Sequence, residues 1–378
     1  MKNLKSIFLK IFLLIVILFC FYNYKSHTVD IKEIIESYKQ PLEKWPSPFI
    51  DKGIPWKEFE PLEMDTLFYE TQEQPEVILG KMLFFDPKLS SSNQISCSSC
   101  HDPELGWTDH RSVSLGHDHQ LGRRNAPSLY NSAFKDKMFW DGRASSLEEQ
   151  IAGPLEAHNE MSFNKDLVVK KLSKIKGYKS LFKNAYGNEK ITYERITKAI
   201  AAFERTIKSQ PGRFDKFING NYSTLTDKEI YGMHIFRTKA RCMNCHYGKY
   251  FTDEKFHNIG LTYYKREFED LGLYETTKDP KDVGKFKTPS LRDLLLTRPW
   301  MHNGFMDNLT GIINLYNNTL LINNPTKEQK LKDPMYPVID SLIIPLNLKQ
   351  DEIEALESFL EVLSSSRYKM QRPDFPKK

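Results

Sequence analysis

The chain has 378 residues, with 54 lysines and arginines against 49 aspartates and glutamates and a formal net charge of +5 at pH 7. That length is enough for two domains, and so modest a charge, with no basic stripe interleaved with aromatics, counts against nucleic acid as a partner. Its 5 cysteines do not make a disulfide framework, so the core must be held by packing and by whatever the cysteines bind.

Residues 1–25 stand apart. Lys2, Lys5 and Lys10 precede an unbroken apolar run over residues 11–22. That is a positive n-region followed by an h-region of signal-peptide length, short for a full membrane span. The positive end should stay inside and the rest be exported, so the expected location is periplasmic, with a membrane touched only through the N-terminus. No small-x-small cleavage site follows at Phe19-Cys20-Phe21-Tyr22. A cleaved signal, a retained anchor and lipidation at Cys20 therefore all stay open, the last disfavoured by Phe19.

Residues 26–75 carry Pro41, Pro46, Pro48, Pro55, Pro61 and Pro75 together with Trp45 and Trp56. This composition predicts an extended arm lying on the body, with one short helix near Ile31–Tyr38. A short helix is expected over residues 76–84. Ser146-Leu147-Glu148-Glu149 has the form of a capping box and should open a helix that carries Gln150. Apolar Tyr193, Ile196, Ala199, Ile200, Phe203 and Ile207 recur at helical spacing and predict a helix over residues 193–207. Thr226-Asp227-Lys228-Glu229 is a second capping box, and a last helix over residues 349–363 sets Ile353, Leu356, Leu360 and Leu363 on one face. Strand signals are few and short.

The pentapeptide Cys97-Ser98-Ser99-Cys100-His101 is echoed by Cys242-Met243-Asn244-Cys245-His246. In C-x-x-C-H the two thiols add to the vinyl groups of a haem, and the adjoining imidazole ligates the iron from one side. The competing reading is two C-x-x-C half-sites sharing a zinc ion, but a structural zinc gives no reason for a histidine after both second cysteines. The expected fold is therefore mainly α, with two cytochrome c-like helical domains, each with one covalently bound c-type haem. Residues 76–220 and 221–370 form these domains, behind the segments 1–25 and 26–75 and before a tail at 371–378. His101 and His246 are the iron ligands.

Between the first motif and Glu160 the chain is rich in groups that a peroxide-handling iron needs. A histidine-bearing glycine loop, Leu115-Gly116-His117-Asp118-His119, is followed by Phe139-Trp140-Asp141-Gly142-Arg143, then Gln150, then Glu160. Heterolysis of a peroxide needs a group that takes a proton from one oxygen and gives it to the other. It also needs electrons, which a tryptophan between two haems could carry.

Gly122-Arg123-Arg124-Asn125-Ala126-Pro127-Ser128-Leu129, Phe139-Trp140-Asp141-Gly142-Arg143 and Phe286-Lys287-Thr288-Pro289-Ser290-Leu291-Arg292 together carry a specific likeness. By these segments the chain resembles the bacterial di-haem cytochrome c peroxidase superfamily, which includes the MauG type, over residues 76–368. The resemblance implies that the first haem is the peroxidatic one. It implies Glu160 as the acid–base glutamate, Gln150 as its neighbour in the pocket and Trp140 as the tryptophan between the haems. Taken alone, Glu160 would read as a solvated carboxylate and Trp140 as core. His117 falls at a mobile-loop histidine that in the peroxidases caps the peroxidatic iron until the other haem is reduced, and its glycine-flanked loop suits movement. His110 and His119 read as exposed loop histidines. A calcium ion is implied as well, held by the Asn125 side chain and the carbonyls of Thr297 and Pro299, oxygen ligands suited to a hard cation.

The sixth ligand of the second haem divides the superfamily. The peroxidases place a methionine beyond a Pro-aromatic-aromatic-His motif, matched here by Pro299-Trp300-Met301-His302. Counting along a helix expected over residues 307–318, the matching position holds Tyr316, as in the MauG type, with Met301, Met306 and Met335 as competitors. Thioether sulfur raises the potential of a haem and phenolate lowers it, so the choice sets what the second haem is good for. MauG-type members lack the loop histidine at the position of His117, so the chain mixes features of both branches.

These residues lead to the expectation of an enzyme, a cytochrome-c peroxidase that reduces hydrogen peroxide with electrons from a small donor protein, a cytochrome c or a cupredoxin. A MauG-like enzyme oxidising a residue of a partner protein is the second expectation. A di-haem electron carrier without turnover is the third. A homodimer stays open.

Overall fold

The computed structural model describes residues 30–318, 324–365 and 370–376. The expected export segment, with Cys20, lies outside the described residues. Contacts divide the chain into two compact units, Met1–Pro46 and Ser47–Lys378. In the first, the Asp30 carboxylate accepts from the Lys32 amide at 3.0 Å and opens the helix Ile31–Tyr38 where the sequence placed it. Trp45 donates through Nε1 to the Gln40 carbonyl at 2.8 Å, and its ring meets Tyr38 edge-on at 5.2 Å. This folds the short segment back on its own helix.

The second unit is helical. Its regular sheet, among the described residues, is one antiparallel pair, β1 (Phe256–His257) with β2 (Phe286–Lys287). Two helix crossings organise the rest: Pro75–Phe85 packs on Tyr193–Glu204, and Asp227–Arg237 packs on Gln350–Val362. Each crossing closes on a glycine. A Cβ on Gly80 would sit 1.8 Å from the Ala199 carbonyl oxygen and 3.0 Å from Phe203 Cβ. A Cβ on Gly232 would sit 1.8 Å from the Ala355 oxygen and 2.9 Å from Phe359 Cβ. In both cases the facing helix presents an alanine and, one turn later, a phenylalanine. The same joint is built twice, each time on the helix that precedes one C-x-x-C-H motif in the chain, Pro75–Phe85 before Cys97 and Asp227–Arg237 before Cys242.

Phe84 packs on Phe203 and Trp107 at 5.2 and 5.9 Å around the first joint. The second joint is surrounded by Phe214, Phe236, Phe251 and Phe359, all buried. Phe59, from the proline-rich segment, stacks on Phe251 at 4.6 Å and is fully buried. Residues 47–63 are therefore extended, as expected, but they also supply a core residue. They are tied down by three arginines: Arg237 pairs with Glu58, Arg241 with Asp51, and Arg292 donates to the Glu60 carbonyl at 3.0 Å.

Helix ends moved where side chains compete for backbone groups. The Tyr193–Glu204 helix stops short of Ile207 because the Thr206 hydroxyl and amide both donate to the Phe203 carbonyl, at 2.7 and 2.9 Å. Ile207 stays buried at 3 % exposure. The box at Thr226 and Glu229 closes in both directions. At Ser146 only half of it forms: the Ser146 hydroxyl accepts from the Glu149 amide at 3.1 Å, while the Glu149 carboxylate turns to the Ser145 amide at 2.7 Å. The helices Lys165–Leu172, Lys176–Tyr186 and Arg213–Ile218 were not among the predicted elements, although Asn164 caps the first by accepting from the Asp166 amide at 2.8 Å and Tyr178 and Phe182 are buried one turn apart on the second. No helix among the described residues is long and apolar enough to cross a membrane.

Candidate active site

Both C-x-x-C-H motifs fold as one tight turn. Cys97–Cys100 is a single helical turn and Cys242–Asn244 a 3-10 turn, and in each the histidine amide donates to the first cysteine's carbonyl, at 3.0 Å for His101 and 2.8 Å for His246. Each imidazole is then oriented by its Nδ1–H. His101 donates to the Trp107 carbonyl at 3.1 Å and His246 to the Phe251 carbonyl at 2.8 Å. A backbone partner at Nδ1 fixes the tautomer and leaves Nε2 with its lone pair free for a metal.

A cavity of about 770 Å³ runs past both motifs, lined by Cys97, Cys100 and His101 at one end and by Cys242, Cys245 and His246 at the other. All four thiols are free. They do not converge: among the described residues the one group of three metal-ligating side chains within 4.8 Å is Cys245, Asp253 and His257. A shared zinc site is therefore not what the two motifs build. His257 is also committed elsewhere, with Nδ1 2.6 Å from Asp340 and Nε2 2.9 Å from Asp253. Burial would lower its pKa, but the two carboxylates outweigh that and raise it to about 9.

Glu160 and Gln150 line this same cavity. Gln150 stands on the Leu147–Glu156 helix, and the Glu160 amide donates to the Ala157 carbonyl just beyond that helix, at 3.0 Å. The Glu160 carboxyl makes no hydrogen bond to a described residue. Burial pushes its pKa up, with the Arg143 charge opposing, which is the direction that keeps a proton available on a carboxyl near neutral pH.

Trp140 also lines the cavity and is held from both ends of the fold. Its Nε1–H donates to the Asn125 carbonyl at 3.0 Å, and its carbonyl accepts from the Lys287 amide at 3.0 Å. The turn that presents it is pinned by charge. Asp141 accepts from Arg143 at 2.9 Å and from Arg124 at 2.5 Å, and Arg124 reaches on to Asp270 at 2.7 Å. Arg124 was visible in the sequence only as part of a motif; its role as the clamp between residues 141 and 270 depends on partners more than a hundred positions apart.

Asn125, Thr297 and Pro299 all border the cavity. Asn125 is 7 % exposed and spends its side-chain amide on the Arg111 carbonyl at 2.9 Å, which leaves Oδ1 without a donor among the described residues. The Thr297 and Pro299 carbonyls likewise receive no hydrogen bond from a described residue. Three oxygen acceptors of this kind fit a hard cation.

His117 is placed differently. It borders a separate small pocket of about 110 Å³ with Ser92, Gln94 and Ile95, not the large cavity. Its Nδ1 lies 3.4 Å from the Ser91 hydroxyl, its amide donates to the Glu160 carbonyl at 2.7 Å, and its ring meets His158 at 5.8 Å. The glycine beside it is not loose. A Cβ on Gly116 would lie 2.1 Å from the Asn159 carbonyl, so this glycine is there for close packing against the stretch of chain that bears Glu160. His119 is exposed, as expected. His110 is not: it is half-buried and its Nε2–H donates to the Leu296 carbonyl at 3.0 Å.

Tyr316 stands on the helix Leu309–Asn318 and lines the end of the cavity near Cys242 and Cys245. Its hydroxyl makes no hydrogen bond to a described residue, and burial, followed by the two cysteines, pushes its pKa up. Of the competing methionines only Met301 borders the cavity. His302, noted above only as the end of a motif, borders it too. Its ring is stacked on Phe286 at 3.6 Å, its buried Nε2 has no hydrogen-bond partner among the described residues, and burial lowers its pKa to about 4.

A helical unit with two C-x-x-C-H turns, each histidine braced through Nδ1 and both facing one cavity, is the frame of a c-type cytochrome with two haem seats. Residues 74–223 match the family described as di-haem cytochrome c peroxidase. The methylamine utilization protein MauG of Methylophilus methylotrophus is 35% identical over 304 residues, covering 79% of this chain and 85% of that protein. The cytochrome c551 peroxidase of Nitrosomonas europaea is 38% identical over 227 residues, covering 60% of this chain and 68% of that protein. Among solved structures, a MauG-like protein associated with microbial copper homeostasis superposes with a TM-score of 0.68 at 29% identity, covering 85% of this chain and 93% of that one. The chain belongs to the di-haem cytochrome c peroxidase family, whose members include both MauG proteins and cytochrome c peroxidases.

Proposed function

We propose that the protein is an exported c-type peroxidase that reduces hydrogen peroxide to water, with a small redox protein such as a cytochrome c or a cupredoxin as electron donor. Cys97 and Cys100 would tether one haem and Cys242 and Cys245 the other, with His101 and His246 as iron ligands. When bound, the haem irons supply the electron-transfer chemistry of H2O2 + 2 H+ + 2 e− → 2 H2O. The chain's own residues hold and move the proton. Glu160, with its pKa raised by burial, carries it, and the Gln150 amide in the same cavity orients the peroxide oxygens. Trp140 bridges the two seats. His117, held off the cavity beside Ser91, is a loop ligand that must travel to reach the iron. Asn125, Thr297 and Pro299 are the calcium ligands.

The observation that carries this reading is that Glu160 and Gln150 line the same cavity as His101. The test is a stopped-flow assay with reduced cytochrome c. Peroxide-dependent oxidation of two cytochromes per peroxide is expected, and purified di-haem protein that oxidises none would refute the reading.

A second reading, oxidation of a residue on a partner protein, is favoured by the placement of Tyr316 at the second seat. A phenolate ligand lowers a haem potential and so favours sharing oxidising equivalents over storing an electron. The Tyr316→Phe variant, studied by electron paramagnetic resonance of the ferric protein, should show a changed signal for the second haem only. An unchanged spectrum would remove Tyr316 from the coordination sphere.

A further inference from the structure

Two buried polar groups without a partner among the described residues, Ser132 and Glu204, border the large cavity together with the half-buried Lys135. Ser132 is 2 % exposed and its hydroxyl has no hydrogen-bond partner among the described residues. Glu204 is 3 % exposed, and its Oε2 has none either. Lys135 has one hydrogen bond, a long one of 3.3 Å to the Ser128 carbonyl, and no carboxylate within ion-pair distance among the described residues. All three border the cavity. Ser132 opens the 3-10 turn Ser132–Phe134 and Lys135 follows it directly. Residues three apart on such a turn point the same way. Glu204 stands at the end of the Tyr193–Glu204 helix.

Buried polar groups are normally satisfied, and each exception calls for a missing partner. The neighbouring charges do not supply one. Arg205 is engaged by Glu148 at 2.8 and 3.0 Å, and Lys287 is paired with Glu254. Burial raises the Glu204 pKa to about 8, so at neutral pH this side chain carries an O–H. A hydroxyl, an ammonium and a carboxylic acid are three donors, and they call for an anionic acceptor. The charges of this cluster reach the first motif: Glu204 acts on Cys97 and Lys135 on His101. Apart from its iron, a haem offers one kind of polar group, its two propionates.

We propose that Ser132, Lys135 and Glu204 form the seat for a propionate of the haem tethered by Cys97 and Cys100. The seat orients that haem and sets its potential by placing one ammonium beside a carboxylate that would otherwise be buried uncompensated. These are positioning residues. The inference rests on the reading that a haem is attached at the first motif, and the experiment separates the two. Haem content by pyridine haemochrome comes first: fewer than two haems per chain in the wild type refutes the parent reading. With two haems present, Lys135→Met should move the midpoint potential of the first haem downward, since a cation that favours the reduced form is gone, and leave the second in place. Glu204→Gln keeps the volume and a hydrogen-bond donor, and Ser132→Ala removes one donor only. Both should shift the propionate bending band of the first haem in resonance Raman spectra, which reports hydrogen bonding to that group. Unchanged bands and potentials in all three variants, or shifts confined to the second haem, would overturn the assignment.

Discussion

Replacing Glu160 with glutamine is expected to lower peroxide turnover by about 10²- to 10⁴-fold, the range supplied by a positioned proton-transfer group, while leaving both haems in place. Glutamine matches the shape of glutamic acid but cannot release or accept the proton. The fold should tolerate the change, because the Glu160 carboxyl makes no hydrogen bond to a described residue and its backbone contacts, the amide to Ala157 and the carbonyl to His117, do not involve the side chain. The loss should appear in kcat as well as in kcat/KM, since a group that acts on the proton in flight contributes to the transition state and little to binding. The measurement is steady-state peroxide reduction with reduced cytochrome c, beside the ferric absorption spectrum. A Glu160→Gln protein that turns over like the wild type with both haems bound would make Glu160 a cavity-wall carboxylate. A protein without turnover in either form would fit an electron carrier.

Much of this site was legible because its chemistry is written in contiguous words. The two C-x-x-C-H turns need only local hydrogen bonds, from each histidine amide to the first cysteine's carbonyl, and these form wherever the pentapeptide stands. Capping at Thr226 and helical periodicity from Ile353 to Leu363 are local in the same sense. What the sequence did not disclose depends on distant pairs. Arg124 reads as one basic residue in a glycine-proline loop until Asp141 and Asp270 are brought against it. Lys135 and Glu204 drew no notice in the sequence, because what surrounds a charged side chain in the fold is not encoded by its neighbours in the chain. His110 misled for the same reason: its partner is the Leu296 carbonyl, 186 positions away. Gly116 looked like a hinge, whereas its lack of a Cβ serves contact with Asn159.

The duplicated glycine joint should be the most sensitive point of the fold. Gly232→Ala places a methyl carbon where the Ala355 carbonyl oxygen would be 1.8 Å away, with Phe359 Cβ at 2.9 Å. The obstructing atom is backbone, so no side-chain rotation relieves the clash and the two helices must separate. Overpacking of a core costs typically about 1–3 kcal/mol and sometimes more; here the upper end or beyond is expected, seen as a fall in the urea midpoint of the holoprotein by far-ultraviolet circular dichroism. Gly80→Ala meets the Ala199 oxygen at the same distance and should cost about as much. Gly311 supplies the opposite sign. It lies in the helix Leu309–Asn318, and the nearest atom to an added methyl carbon there, Asn308 Oδ1, would be 3.7 Å away. Gly311→Ala should therefore stabilise by about 0.4–1 kcal/mol through the unfolded chain. The damage at the two joints should also be local in its spectroscopic signature. The Asp227–Arg237 helix leads into Cys242, so Gly232→Ala should disturb the second haem first, whereas Gly80→Ala, in the helix that leads towards Cys97, should disturb the first. Equal stability of Gly232→Ala and wild type would mean that the crossing is not the tight joint described, and a loss spread evenly over both haems would mean that the two joints do not serve separate seats.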